Sequence, residues 1–152
     1  MRCPWRELLL SGAALGSTRP ANAQHAWEAG VQAVGTLSEP ALAALGGYGG
    51  VRVSARTRLA GYLGAGISAD RLAWRGELLG HFLLNPDEPR KPGFYFGAGV
   101  AGVEGAVGRG YLVVTVGVEA RPRGASGWVL EAGVGGGFRL GLGYRWRWFT
   151  GP

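Results

Sequence analysis

The sequence predicts an all-β chain, an antiparallel up-and-down closed barrel of about eight strands with a lipid-facing exterior. Three observations carry this. The segment 138–148 alternates without a break, with Phe138, Leu140, Leu142, Tyr144, Trp146 and Trp148 on one face and Arg139, Gly141, Gly143, Arg145 and Arg147 on the other. The same alternation recurs along most of the chain. Glycine supplies 30 of the 152 residues, and each glycine inside a helix costs about 1 kcal/mol against alanine, so the chain is not mainly helical. Side chains alternate across a strand with period two. An apolar face ending in large aromatics, opposed by arginine and glycine, suits a strand that touches lipid on one side and lines a lumen on the other.

Residues 1–23 read as a secretory signal peptide. Arg2 and Arg6 form a basic start, residues 8–15 a short apolar run, and Ala21, Asn22 and Ala23 place small residues where a signal peptidase cuts. One barrel domain then occupies 24–152. Cys3 falls within the signal, so the mature chain has no disulfide, thiolate metal site or cysteine nucleophile. The formal charge is +6, and removing three arginines and one glutamate with the signal leaves +4. The basic residues are spread along alternating positions rather than gathered in a patch, so a nucleic-acid partner is not expected. No apolar stretch after the signal reaches the ~18 residues of a helical membrane span.

The elements follow in order. Trp27, Ala29, Val31 and Ala33 oppose Glu28, Gly30 and Gln32; Val51, Val53 and Ala55 oppose Arg52, Ser54 and Arg56. Leu59, Leu63, Ala65 and Ile67 oppose Tyr62, Gly64, Gly66 and Ser68. Leu72, Trp74, Leu78, Phe82 and Leu84 oppose Arg75, Glu77, Leu79, His81 and Leu83. Phe94, Phe96, Ala98 and Val100 oppose Tyr95, Gly97, Gly99 and Ala101, and Leu112, Val114, Val116 and Val118 oppose Tyr111, Val113, Thr115, Gly117 and Glu119. Trp128, Leu130, Ala132 and Val134 oppose Val129, Glu131, Gly133 and Gly135. The connections 85–89 and 121–124 carry proline and glycine breakers, and Gly135, Gly136 and Gly137 form a hairpin signal. The longest connection is expected at 36–47, with room for a helical turn over 41–45.

An eight-stranded barrel leaves an interior that side chains fill, or that holds one small ligand. The inward face combines Arg52, Arg56, Arg75, Arg139, Arg145 and Arg147 with Glu28, Glu77, Glu119 and Glu131. If Asp70 and Arg71 form a two-residue turn, Arg75 faces Gly66 and Glu77 faces Gly64. A hairpin centred on Gly136 sets Glu131 opposite Gly141 and diagonal to Arg139. Buried charges must be paired, and the guanidinium fork pairs well with carboxylates. Arg52, Arg75, Glu77, Glu119, Glu131 and Arg139 are therefore the expected lumen charge network, which plugs the barrel. Inward Tyr62, Tyr95, Tyr111, Leu79, Leu83, Val113 and Val129 also argue against an open channel.

Two signals lead nowhere. Residues 97–102 fit G-x-G-x-x-G literally, but that fingerprint needs a helix to follow, and the next residues are glycine-rich without an amphipathic period. His81 has no inward carboxylate beside it on its own strand, so a hydrogen-bonded structural histidine is expected and no catalytic or metal site is assigned.

Residues 143–148, Gly143-Tyr144-Arg145-Trp146-Arg147-Trp148, look like a C-terminal outer-membrane assembly signal, a glycine followed by two aromatics on the lipid face. With the signal peptide, eight strands and an Arg/Glu lumen, the chain over about 27–149 resembles the small outer-membrane β-barrels, OmpA/OmpX-like. The resemblance implies a porin-like protein in the outer membrane of a diderm bacterium, with a structural or surface-interaction role and neither enzymatic activity nor cofactor. Its partners would be outer-membrane lipids and, through the last strand, the assembly machinery. Trp27, Trp74, Trp128, Trp146, Trp148 and Phe149 are the expected aromatic girdle. A soluble lipocalin-like barrel that binds a small apolar ligand, and a narrow pore, are the alternatives. In such barrels the termini are periplasmic and the long loops external, which places 85–93 and 120–127 on the periplasmic side, with 36–47 and 135–137 outside.

Overall fold

A computed structural model describes residues 25–105 and 108–150; the expected signal over 1–23 lies outside them. Eight strands follow one another: β1 His25–Leu37, β2 Leu42–Arg52, β3 Thr57–Ser68, β4 Arg71–Leu83, β5 Gly93–Glu104, β6 Arg109–Glu119, β7 Ser126–Val134 and β8 Phe138–Thr150. Each pairs antiparallel with the next, and β8 returns to pair with β1 along 13 residues, His25 to Leu37. Closure pairs every strand on both sides, so the sheet has no edge strand of the kind that hydrocarbon does not tolerate.

The alternation sets which side chains face out. Leu45, Leu59, Leu63, Leu78, Val114, Leu130 and Leu142 are all exposed on the outer wall. The charged residues Arg58, Arg75, Arg139, Arg145, Glu119 and Glu131 are fully buried within it. This inside-out arrangement rules out the lipocalin-like alternative, which needs the aromatic face turned inward and Arg52, Arg75, Arg139 and Arg145 in water.

Three expectations need correction. The 36–47 segment is not a long loop with a helical turn. β1 runs to Leu37, a four-residue connection spans 38–41, and β2 begins at Leu42. Gly46, Gly47, Gly49 and Gly50 with Ala43 and Ala44 fill that stretch, so there was no contrast of large apolar against polar to mark the period. Arg56 does not face the lumen. The chain turns at 53–56, where the N–H groups of Val53 and Ser54 both donate to Thr57 O, and Arg56 is exposed in that turn. The β3–β4 turn is Ala69–Asp70 rather than Asp70–Arg71. Both residues have positive φ, 49° and 57°, as a tight type I′-like hairpin requires. Arg75 therefore pairs with Gly64, and Glu77 with Tyr62.

Both described chain ends share one rim with the connections 53–56, 84–92 and 120–125, of four, nine and six residues. The opposite rim carries 38–41, 69–70 and 135–137, none longer than four residues, with the β5 end at Glu104 and the β6 start at Arg109. The longer connections thus share the rim of the termini, the reverse of the expected loop pattern.

Candidate functional site: the charged lumen

The lumen contains six buried arginines, Arg52, Arg58, Arg75, Arg139, Arg145 and Arg147, and four buried glutamates, Glu28, Glu77, Glu119 and Glu131, among the described residues. They form two groups. Nearer the chain ends, Glu28 on β1 and Glu119 on β6 share three arginines. Arg58 Nη1 lies 3.1 Å from Glu28 and 2.9 Å from Glu119. Arg52 Nε approaches Glu28 at 3.1 Å, and Arg147 Nη2 approaches Glu119 at 3.0 Å. Arg58 Nε also donates to His81 Nδ1 at 3.1 Å, so this ring nitrogen is an acceptor and His81 is held as a structural partner of Arg58.

Deeper in the barrel, Glu77 and Glu131 share the other three. Arg75 Nε donates to Glu77 at 2.6 Å. Arg139 reaches Glu77 through Nη2 at 2.7 Å and Glu131 through Nη1 at 2.9 Å. Arg145 Nη2 pairs with Glu131 at 2.9 Å, and its guanidinium lies over the Tyr48 ring at 3.8 Å from the centroid. The Tyr95 hydroxyl and the Gln32 amide both donate to Glu131, at 2.6 and 2.9 Å. Each carboxylate thus serves more than one cation, which is how charges persist when they are buried.

Glycine makes the room. A Cβ at Gly141, directly opposite Glu131, would come within 2.9 Å of Gln32 Nε2 and 3.2 Å of Glu131 Oε2. At Gly117 a Cβ would run into the Tyr95 ring. Large polar side chains on one strand therefore lie over bare backbone on the next.

The two mouths differ. At the chain-end rim the 120–125 connection folds over the lumen with Pro122 buried. Arg52 Nη2 donates to Pro122 O at 3.1 Å, and Arg147 Nη1 donates to Arg121 O at 3.3 Å and Gly124 O at 3.4 Å. The opposite mouth holds a cavity of about 190 Å³ whose wall includes Thr36, Ser68, Arg75, Arg109 and Tyr111.

The six expected network residues all lie inside the barrel, Arg52 and Glu119 in the first group and Arg75, Glu77, Glu131 and Arg139 in the second. Sequence reasoning missed Arg58 altogether, although it shares the parity of Tyr62 and lies one residue before the segment read as strand. The tryptophans Trp27, Trp74, Trp128, Trp146 and Trp148 are exposed on the outer wall. Trp27, Trp128, Trp146 and Trp148 gather near the chain-end rim, where Trp27 pairs with Trp148 and Tyr144 packs edge-on against Trp128 and Trp146. Trp74 sits toward the other rim, opposite Ala65 and Glu104. Phe149 is exposed too, at the rim, where it pairs with Ala26 on the parity of Arg145 and Arg147 rather than that of the tryptophans. Among the described residues no cluster of His, Cys, Asp and Glu could hold a metal ion.

No family model and no curated protein sequence matches this chain. Solved structures share its fold, among them the two that follow. The N-terminal β-barrel domain of Pseudomonas aeruginosa OprF superposes with a TM-score of 0.56 at 17% identity, covering 83% of this chain and 99% of that one. Neisserial surface protein A (NspA) superposes with a TM-score of 0.57 at 11% identity, covering 83% of this chain and 97% of that one.

Proposed function

We propose that the chain is an outer-membrane β-barrel of a Gram-negative-type bacterium whose lumen is closed by its Arg/Glu network, with a structural or surface-interaction role rather than a transport or enzymatic one. One observation carries the reading: ten buried, ion-paired charged residues fill the interior of a barrel whose outer wall is apolar. Water would have to displace these pairs to pass, and each broken pair leaves a charge stranded in a medium that solvates it poorly. In this reading residues 1–23 direct export. The outward Tyr144, Trp146 and Trp148 of the final strand would be read by the assembly machinery, and outer-membrane lipids surround the wall.

Planar-bilayer recording tests this directly. Protein that shows heat-modifiable migration on gels, and so is folded, should give little or no steady conductance. A large, stable, anion-selective conductance would show an open lumen lined by arginine, and the function would become that of a channel.

A further inference from the structure

The lumen is a cup, strapped at the chain-end rim and open at the other. We propose that the open vestibule binds the oxyanion group, carboxylate or phosphate, of a small water-soluble solute. The inference goes beyond the closed-lumen reading, since an open lumen would still present this wall.

Size sets the first limit. The cavity is about 190 Å³, below the ~300–1,000 Å³ of sites for drug-sized ligands, so the occupant is small. Charge sets its sign. Arg75, buried, and Arg109, exposed, both line the cavity. In the buried group to which Arg75 belongs, Arg75, Arg139 and Arg145 pair with Glu77 and Glu131, three cations to two carboxylates among the described residues. A concave site with low-dielectric walls concentrates such a field on whatever enters it. The wall also carries the hydroxyls of Thr36, Ser68 and Tyr111. Thr36 Oγ1 already accepts from Arg75 Nη1 at 3.1 Å, so its O–H points elsewhere as a donor. Guanidinium and hydroxyl donors around a cavity are the chemistry that recognises an oxyanion. Glu39 is the opposing charge on the wall, and it gives the proposal a second, oppositely signed test. Asp70, Arg71 and Glu104 share the rim but do not line the cavity.

Folded protein in zwitterionic detergent at low salt would be titrated calorimetrically with inorganic phosphate and with succinate, and separately with short-chain phosphatidate. Phosphate or succinate should bind saturably. Arg109→Gln should weaken binding roughly tenfold, the loss of one charge-assisted contact. Glu39→Gln should tighten it several-fold, and Arg71→Gln should leave it unchanged. Both Arg109 and Glu39 are exposed, so these variants retain the fold, as heat-modifiable migration would verify. Absence of saturable binding to either soluble anion overturns the proposal. So does an affinity that ignores Arg109→Gln. A reversal of the two signs would make this a cation site, and binding of phosphatidate alone would make the occupant a lipid headgroup.

Discussion

Arg139 grips Glu77 with two parallel hydrogen bonds, Nε to Oε1 at 2.9 Å and Nη2 to Oε2 at 2.7 Å. Arg139 stands on β8 and Glu77 on β4, four strands apart around a ring of eight, so the bidentate pair ties opposite walls across the lumen. Removing one partner of such a buried pair costs about 3–5 kcal/mol, because the other charge is left without compensation. Glu77→Ala and Glu131→Ala should each lower the unfolding free energy, read from urea titration in detergent, by amounts of that order. Glu39→Ala, exposed at the rim, should stay within about 0.5 kcal/mol of the unaltered protein. Equal midpoints for Glu131→Ala and Glu39→Ala would mean that the lumen pairs contribute nothing to stability.

A second contrast concerns glycines that look alike in the sequence. Gly117 lies inside the wall against the Tyr95 ring, and an added methyl collides with it. Gly49 faces outward, with nothing within 4 Å of where its Cβ would stand. Gly117→Ala should therefore cost about 1–3 kcal/mol through overpacking. Gly49→Ala should be neutral or slightly stabilising, since alanine loses less backbone entropy on folding. The same denaturant titration reads both, and a neutral Gly117→Ala would remove the argument that glycine makes room for the lumen side chains.

The gap between sequence and structure has the same origin. Where large apolar residues oppose charges, as in β8 and β4, the period was plain and the facing of Arg75, Glu77, Arg139 and Arg145 followed from it. A three-glycine hairpin leaves little choice of register, and Gly141 stands opposite Glu131 as that hairpin implies. In β2 the outward positions Ala43, Gly47 and Gly49 are as small as the inward Ala44, Gly46 and Gly50, so alternation left no trace. Arg56 and Arg58 share one parity, and only the turn hydrogen bonds to Thr57 O show that the first is in solvent and the second in the lumen. Pairing across the barrel, such as Arg58 with Glu28 and Glu119, depends on how strands stagger around the closed ring. Period alone does not carry that information.

The outer aromatics give a test of environment independent of stability. Trp27, Trp128, Trp146 and Trp148 are exposed on the outer wall near one rim, the depth at which indole rings partition between headgroups and chains. In vesicles of lipids brominated near the headgroup, the emission of variants retaining only one of these tryptophans should be strongly quenched. Lipids brominated at the chain terminus should quench less. A lack of quenching by either would mean that this wall does not meet lipid.

The strap over the chain-end rim makes the last prediction. Arg52 donates to Pro122 O at 3.1 Å, while the bonds from Arg147 to Arg121 O and Gly124 O are longer, 3.3 and 3.4 Å. One good hydrogen bond from a charged donor contributes about 1.5–3 kcal/mol, which is roughly a 10- to 100-fold change in how often the strap opens. Arg123 lies within it, half-exposed, and offers trypsin a cleavable bond to Gly124. Cleavage requires the segment to leave the rim, so its rate follows the open population. Combined Arg52→Ala and Arg147→Ala should speed cutting after Arg123 by at least roughly tenfold. Arg90, in the 84–92 connection at the same rim, is the control, because neither arginine donates to that connection. Faster cutting at both sites would mean that the double change loosens the whole barrel. Unchanged cutting after Arg123 would mean that the strap is held by its own turn, Gly124 N–H to Arg121 O at 2.8 Å, and not by the lumen arginines.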